Sequence, residues 1–231
     1  MISIADNLGN VRQRIAQAEK ISGRRPGSVT LLAVSKTRHP DEIRAAHANG
    51  QSRFGENYLQ EALEKMQSLR DLDLEWHFIG PLQSNKTGQV AGHFDWLHTL
   101  DRPKTAHRLN RQRPESKAKL NVCIQVNISG EKSKSGIRLE EVDELADIIS
   151  SMQNLRLRGL MTIPSASHSD KELADCFRQM KSRFGRLQQQ YPGIDTLSMG
   201  MSDDLETAIA HGSTLVRTGT AIFGPRVASN K

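Results

Sequence analysis

Cysteine is scarce in this sequence, with two such residues among 231. Cys123 and Cys176 lie far apart, and no second pair stands at metal-ligand spacing. The sequence therefore predicts neither a disulfide framework nor a zinc knuckle. We expect both cysteines to be packing residues, and we expect no metal site.

Long apolar runs are also missing. Charged residues make up 25% of the chain, and no stretch approaches the roughly 20 consecutive apolar residues of a bilayer-spanning helix. The N-terminal stretch instead repeats Ile4, Leu8, Val11 and Ile15 at helical spacing, which differs from the continuous apolar core of a signal peptide. These absences predict a cytoplasmic protein with no membrane partner.

Aromatic residues are few, at 4% of the chain, and this scarcity bears on nucleic-acid binding. A net charge of +6 permits a nucleic-acid partner. The most basic stretch, residues 102–119, has no recognised nucleic-acid motif beside it, and we interpret it as a solvated helix face. We therefore expect no nucleic-acid partner.

What the sequence does contain is a regular alternation of strand-like and helix-like segments. An amphipathic helix is predicted over residues 2–21, and eight strand candidates follow it, with helix-like segments between them. The candidates are 29–36, 53–56, 74–80, 96–101, 121–129, 155–164, 196–200 and 215–224. Because helices between strands imply parallel pairing, we predict an α/β fold: a single (β/α)8 TIM barrel domain over residues 1–231 with an extra N-terminal helix. A doubly wound sheet is the alternative, but no GxGxxG turn follows the first strand.

In such a barrel the carboxyl ends of the strands converge on one mouth, where active sites lie. Lys36 ends the apolar first strand, an unusual position for an amine that is costly to bury. The segments after strands seven and eight supply glycines and hydroxyl residues, which suit a phosphate site. A lysine facing such a site, with Arg217 between them, suggests pyridoxal phosphate held as a Schiff base on Lys36. Since a guanidinium cannot accept a proton, Arg217 would keep the pyridine nitrogen unprotonated.

Six motifs extend this pattern over nearly the whole chain. They are LLAVSKT (31–37), FGENY (54–58), WHFIGPLQSNK (76–86), GLMTI (159–163), SMGMSDD (198–204) and VRTGTAIFG (216–224). With these motifs the sequence resembles the pyridoxal phosphate homeostasis protein family, whose fold is similar to the barrel domain of bacterial alanine racemase. The resemblance implies a protein that binds pyridoxal phosphate, maintains its intracellular supply and has no established catalytic reaction. It also suggests apoenzymes that use the cofactor as partners, and we expect a monomer.

The resemblance further implies a set of cofactor-binding residues around the mouth. Lys36 carries the cofactor, and Arg217 meets its ring nitrogen. The other implied residues are Ser202, Gly219 and Thr220 with the backbone of Met199 and Gly200 at the phosphate, Ser198 in the same segment, and Asn57, His77 and Met161 beside the ring.

Several of these residues also have a plainer interpretation. Asn57 and Ser202 are possible helix caps, and Met161 is possible barrel filling. His77, in an alternating strand, is otherwise a core histidine with satisfied ring nitrogens. Gly219 otherwise relieves a tight turn. The loop 129–136 places Lys132 and Lys134 near the mouth, where a solvated loop is the default and their role stays open.

An amino-acid racemase is the alternative function. Racemization needs two acid/base groups on opposite faces of the cofactor ring, and Lys36 can serve only one face. The two tyrosines, Tyr58 and Tyr191, are predicted in or beside the outer helices, and the sequence ends soon after the last strand candidate. We therefore favour binding and supply of the cofactor over catalysis.

Overall fold

Eight parallel strands close into a barrel in the order of the sequence, and the last strand pairs with the first. The computed structural model describes residues 3–131, 134–165 and 167–225. The strands are β1 (Thr30–Val34), β2 (Arg53–Glu56), β3 (Glu75–Phe78), β4 (Trp96–Leu100), β5 (Leu120–Gln125), β6 (Leu155–Met161), β7 (Thr196–Ser198) and β8 (Leu215–Thr218). The predicted TIM barrel is confirmed.

Helices follow the strands and form the outer layer of the barrel. They are α1 (Ile4–Ile21), α2 (Pro40–Ala48), α3 (Leu59–Ser68), α4 (Thr87–His93), α5 (Pro103–Gln112), α6 (Val142–Ser150), α7 (Asp170–Gln190), α8 (Leu205–Ala210) and α9 (Thr220–Phe223). The largest apolar cluster lies between these helices and the strand residues that face them. Within the described ranges, none of the helices is both long enough and apolar enough to cross a membrane.

The extra helix α1 fastens the segments that follow β7 and β8. Asn7 Nδ2 donates a hydrogen bond of 2.8 Å to the carbonyl of Ile222 in α9. Arg14 forms an ion pair with Glu206 of α8 at 2.7 Å, and its Nη2 donates to the carbonyl of Ser202 at 2.9 Å. Helix α1 therefore positions the segments after β7 and β8 from outside the barrel.

The barrel interior is partly polar. Its apolar side chains form two small clusters, one of Leu32, Ile79 and Leu215 and the other of Trp96, Cys123 and Met161. TIM barrels ordinarily fill this space with layers of branched aliphatic residues. Here four buried polar side chains share it: His77, His98, Ser198 and Arg217. Because polar groups are costly to bury without partners, these residues call for a functional explanation.

Candidate functional site at the carboxyl mouth

Lys36 lies in a turn at the mouth, two residues beyond the end of β1, and its side chain is half-buried. The next residue, Thr37, has φ 64°, a left-handed conformation that is rare for a β-branched residue. The Thr37 N–H donates to Glu61 Oε1 at 2.6 Å. Tertiary contacts with α3 therefore hold the strained turn that carries Lys36.

A buried cluster of charged and polar groups around Lys65 stabilises the other side of this turn. Lys65 Nζ donates to Glu56 Oε1 at 2.8 Å, to the carbonyl of Ser35 at 2.6 Å and to Glu61 Oε1. The Ser35 hydroxyl donates to Glu56 Oε1 at 2.6 Å. Lys65 and Glu56 are 4% and 0% exposed, and burial raises the pKa of Glu56 against the opposing charge of Lys65. Sequence analysis missed Lys65, although its i,i+4 spacing from Glu61 on a helix was a usable signal.

Arg217 lies on β8, which is paired with β1, and is 4% exposed. Its Nη1 donates to Ser198 Oγ at 2.7 Å, and its Nη2 donates to the carbonyl of Thr162 at 2.9 Å. Burial lowers the pKa of Arg217 to about 10, while the charge of Asp204 opposes that change. The guanidinium is therefore charged at neutral pH, and two hydrogen bonds fix its plane.

Three buried amide oxygens lie at this mouth without a partner in the protein. Asn57 Oδ1, Gln125 Oε1 and Asn127 Oδ1 have no hydrogen-bond partner among the described residues, and these residues line one cavity of about 240 Å³. A buried polar atom without a partner costs about 1–3 kcal/mol, so such atoms call for an external partner. Helix α3 begins at Leu59 with Tyr58 as its N-cap, so Asn57 is not the cap.

The loop after β5 reaches the same cavity. Lys134 lines the cavity, and its Nζ donates to the carbonyl of Pro164 at 3.0 Å. The same amine pairs with Glu131 Oε1 at 3.1 Å. Lys134 therefore links the loops after β5 and β6 instead of extending into solvent. Lys132 lies outside the described residues.

Glycines shape the expected phosphate region. Gly200 has φ 96°, and a Cβ there would lie 2.5 Å from Ala208 Cβ, so only glycine fits. A Cβ on Gly219 would lie 3.1 Å from the carbonyl oxygen of Val34. Helix α9 begins at Thr220, and the first N–H groups of a helix have no partner within it. This region therefore offers backbone donors and little room for side chains.

The segment before this region contains Met199 and Ser202. The Met199 N–H donates to the carbonyl of Leu215 at 3.2 Å, and the Met199 carbonyl accepts from Ser213 Oγ at 2.7 Å. Ser202 is half-buried and is not a helix cap, because α8 has Asp204 at that position.

His77 lies deeper in the barrel than the expected position at the mouth. Its Nε2 lies 2.8 Å from Glu75 Oε1, at the start of β3, and its Nδ1 lies 2.9 Å from His98 Nε2. Its ring stacks on Trp96 with centroids 5.1 Å apart. Both ring nitrogens therefore have protein partners, as in the plainer interpretation of this residue. Met161 is fully buried and packs in the barrel interior with Trp96.

His98 is a buried residue that sequence analysis did not single out. Its Nδ1 lies 3.0 Å from Ser198 Oγ, which also accepts from Arg217. Alternation along β4 places His98 on the same inward side as Trp96. That pattern was a usable signal, because a histidine inside a barrel must find partners.

We expect the protein to lose stability as the pH falls below about 6.5, the ordinary pKa of histidine. Burial lowers the pKa of both His77 and His98, so below pH 6.5 the unfolded chain binds more protons at these two positions than the folded state does. A histidine that stays neutral in the folded state reduces the free energy of unfolding by about 1.4 kcal/mol per pH unit in this range. Urea unfolding from about pH 7 to about pH 5 measures this slope.

The matched variants for this measurement are His98→Gln and His107→Gln. His107 is exposed on α5, so its replacement leaves the slope unchanged. Replacement of His98 makes the slope smaller, because it removes one of the two histidines whose pKa is lowered. Equal slopes in the two variants would contradict the prediction.

No three His, Cys, Asp or Glu side chains of the described ranges are grouped so as to hold a metal ion. The charged groups at this mouth include Lys36, Lys134, Arg217 and the buried cluster around Lys65. Three of these are cations that can face an anionic ligand.

Comparison with known proteins identifies the family. The family model described as "Alanine racemase, N-terminal domain" matches residues 7–227. The pyridoxal phosphate homeostasis protein of Escherichia coli strain K12 is 54% identical over 234 residues, which cover 100% of each chain. The protein of that name from Pseudomonas aeruginosa is 52% identical over 226 residues, covering 98% of this chain and 97% of the relative.

Solved structures agree with this family. PipY from Synechococcus elongatus, solved with pyridoxal phosphate bound, has a TM-score of 0.82 at 37% identity, covering 96% of this chain and 100% of PipY. Alanine racemase from Corynebacterium glutamicum has a TM-score of 0.67 at 18% identity, covering 97% of this chain and 63% of that enzyme. The racemase shares the fold. The chain belongs to the pyridoxal phosphate homeostasis protein family, and its barrel is of the alanine racemase N-terminal type.

Proposed function

We propose that the protein binds pyridoxal phosphate at the carboxyl mouth, bonds it reversibly to Lys36, and releases it to apoenzymes that need it. The observation that carries the proposal is the unpartnered Asn57 Oδ1, buried at a mouth that also holds Lys36 and Arg217. The homeostasis name of the relatives and the cofactor bound to PipY support it.

Lys36 would hold the cofactor covalently. Its amine nitrogen forms a bond to the aldehyde carbon, and the aldehyde oxygen leaves as water. Water or a free amine reverses the bond, so capture and release need no further catalyst. When bound, the cofactor supplies an electrophilic carbon and an electron-withdrawing ring.

Arg217 would donate to the pyridine nitrogen. A guanidinium has five N–H donors and no acceptor, so it leaves that nitrogen without a proton. A ring of this kind withdraws electrons less strongly than one paired with a carboxylate. This choice of partner favours holding the cofactor over carbanion chemistry.

The phosphate would lie between the segments after β7 and β8. Ser202 and Thr220 offer hydroxyl groups, and the backbone at Gly200, Gly219 and Thr220 offers N–H donors in a region without side-chain bulk. Arg14 of α1 holds the Ser202 carbonyl, which positions one side of this region. The extra helix therefore contributes to the site indirectly.

The alternative function, an amino-acid racemase, needs a second acid/base group. Tyr191 is committed to a short hydrogen bond with Asp147, and burial, with Asp147, raises the pKa of Tyr191 to about 12. Tyr58 follows Asn57 and is 54% exposed. Of the two tyrosines, Tyr58 is therefore the one to test as a second base.

We expect the loaded protein to transfer pyridoxal phosphate to an apoenzyme and to exchange the Cα hydrogen of amino acids negligibly. The physical reason is that Lys36 can serve only one face of the ring, and without a second base proton return on the opposite face is slow. Both assays are made on one preparation, the second with alanine and other amino acids in heavy water. The monomeric state and the choice of apoenzymes stay predictions.

Tyr58→Phe serves as the control in the exchange assay. Exchange at about 1 per second or faster, with cofactor that stays bound and with activity lost in Tyr58→Phe, would overturn the carrier function and restore the racemase. Transfer that is equal in wild type and Tyr58→Phe supports the proposal.

A further inference from the structure

A continuous row of hydrogen bonds crosses the barrel from one mouth to the other. It begins at Glu75, at the start of β3, and continues through His77, His98 and Ser198 to Arg217. The successive distances are 2.8, 2.9, 3.0 and 2.7 Å. We call these five residues the interior row. It connects the candidate cofactor site with the amino-terminal mouth on the opposite side of the molecule.

The interior row has one consistent direction of donation. The hydrogen bond from His77 lowers the pKa of Glu75, so the carboxylate is ionised and only accepts. His77 therefore donates from Nε2, and because burial keeps this ring neutral, its Nδ1 accepts from His98 Nε2. His98 is also neutral, so its Nδ1 accepts from the Ser198 hydroxyl. Ser198 Oγ in turn accepts from Arg217.

The opposite direction fails at both ends. It requires a proton on Glu75, which would then donate to His77. At the other end, His98 and Arg217 would both donate to Ser198 Oγ, and the hydroxyl hydrogen would need another acceptor. The charge on Glu75 therefore determines which atoms donate along the whole row.

Glu75 is accessible from the amino-terminal mouth. Its side chain is 37% exposed and lies beside Arg53, whose Nε is 3.2 Å away. It lines a cavity of about 280 Å³ together with Arg158 and Asp195, which pair with each other. Arg158 lies over Trp96, on which His77 stacks, so the start of the row is held on several sides.

We propose that Glu75, His77 and His98 are positioning residues that set the hydrogen-bonding state of Arg217, and through it the electronic state of bound pyridoxal phosphate. The inference rests on the proposed function, because it assigns Arg217 to the ring nitrogen. When a lone pair of Ser198 Oγ faces Arg217, one N–H of the guanidinium donates to it, and this hydrogen bond fixes the plane of the guanidinium. If the direction of donation is reversed, this acceptor is shared with His98, and the guanidinium is held less firmly.

The test replaces Glu75 with glutamine, which keeps the size of the side chain, removes its charge and permits the reversed direction. We expect Glu75→Gln to change the ratio of the bound cofactor's absorbance bands across neutral pH and to weaken cofactor binding about three- to tenfold. Asp73→Asn is the matched control, because it removes a charge of the same sign from an exposed position two residues before Glu75, outside the interior row. It leaves both quantities at their wild-type values.

Wild-type spectra and affinity in Glu75→Gln would overturn the inference while leaving the proposed function intact. Equal changes in Glu75→Gln and Asp73→Asn would overturn it as well, since a general field effect explains them. A wild-type protein that takes up no pyridoxal phosphate would overturn the proposed function first.

A second measurement needs no variant. Nitrogen NMR of the histidine rings in the wild-type protein reports which nitrogen carries the proton. We expect both His77 and His98 to be protonated at Nε2 and bare at Nδ1, and the signal of His98 to shift when the cofactor is added. A proton on Nδ1 of His98 would overturn the inference even if Glu75→Gln does not fold.

Discussion

Replacement of Lys36 with alanine abolishes the covalent capture of pyridoxal phosphate and weakens its binding at least about a hundredfold, or about 2.7 kcal/mol. Lys36 is half-buried in a turn whose backbone is held by α3, so the amine is presented at a fixed place. Its loss leaves non-covalent contacts such as those at the phosphate and Arg217. Borohydride reduction followed by peptide mass mapping identifies the modified lysine, and titration gives the affinity.

Lys20→Ala is the matched control for this experiment. Lys20 lies exposed in the last turn of α1, and its replacement leaves trapping and affinity unchanged. Lys134 is the informative competitor, because it lines the cavity at the same mouth. An adduct found on Lys134, with none on Lys36 in the wild-type protein, would contradict the proposed attachment.

The fold could be predicted because its signal is repeated along the chain. Eight apolar segments alternate with helical ones, and a parallel barrel is the arrangement that buries all of them. The segment ends were less predictable. The first strand ends at Val34 instead of Lys36 because Thr37 and Ser35 are held by α3, a contact that local sequence does not contain.

The depth at which a side chain lies inside the barrel was also difficult to predict from the sequence. Alternation correctly indicates which strand residues point inward, but position along the barrel axis also depends on strand tilt and stagger. His77 was expected at the mouth for this reason, and its ring instead lies inside the barrel, hydrogen-bonded to Glu75 at the start of β3. Asn57 and Ser202 were possible caps because helix starts are uncertain by one or two residues.

Replacement of Lys65 with methionine lowers the free energy of unfolding by about 3–5 kcal/mol. The substitution keeps the length of the side chain but leaves the Glu56 carboxylate buried at 0% exposure without its cation. It also removes the donor to the Ser35 carbonyl, beside Lys36. Urea unfolding measures the stability, and titration with pyridoxal phosphate measures the effect on the site.

Arg44→Met is the control, because Arg44 pairs with Asp71 at the surface, where such pairs contribute little to stability. The double variant Glu56→Gln/Lys65→Met removes the buried charge and recovers part of the lost stability. It does not recover cofactor binding, because the Ser35 carbonyl still lacks the Lys65 amine. A Lys65→Met protein within about 1 kcal/mol of wild type would show that the buried pair does not support this turn. Restored binding in the double variant would instead assign the cluster to stability alone, with no part in presenting Lys36.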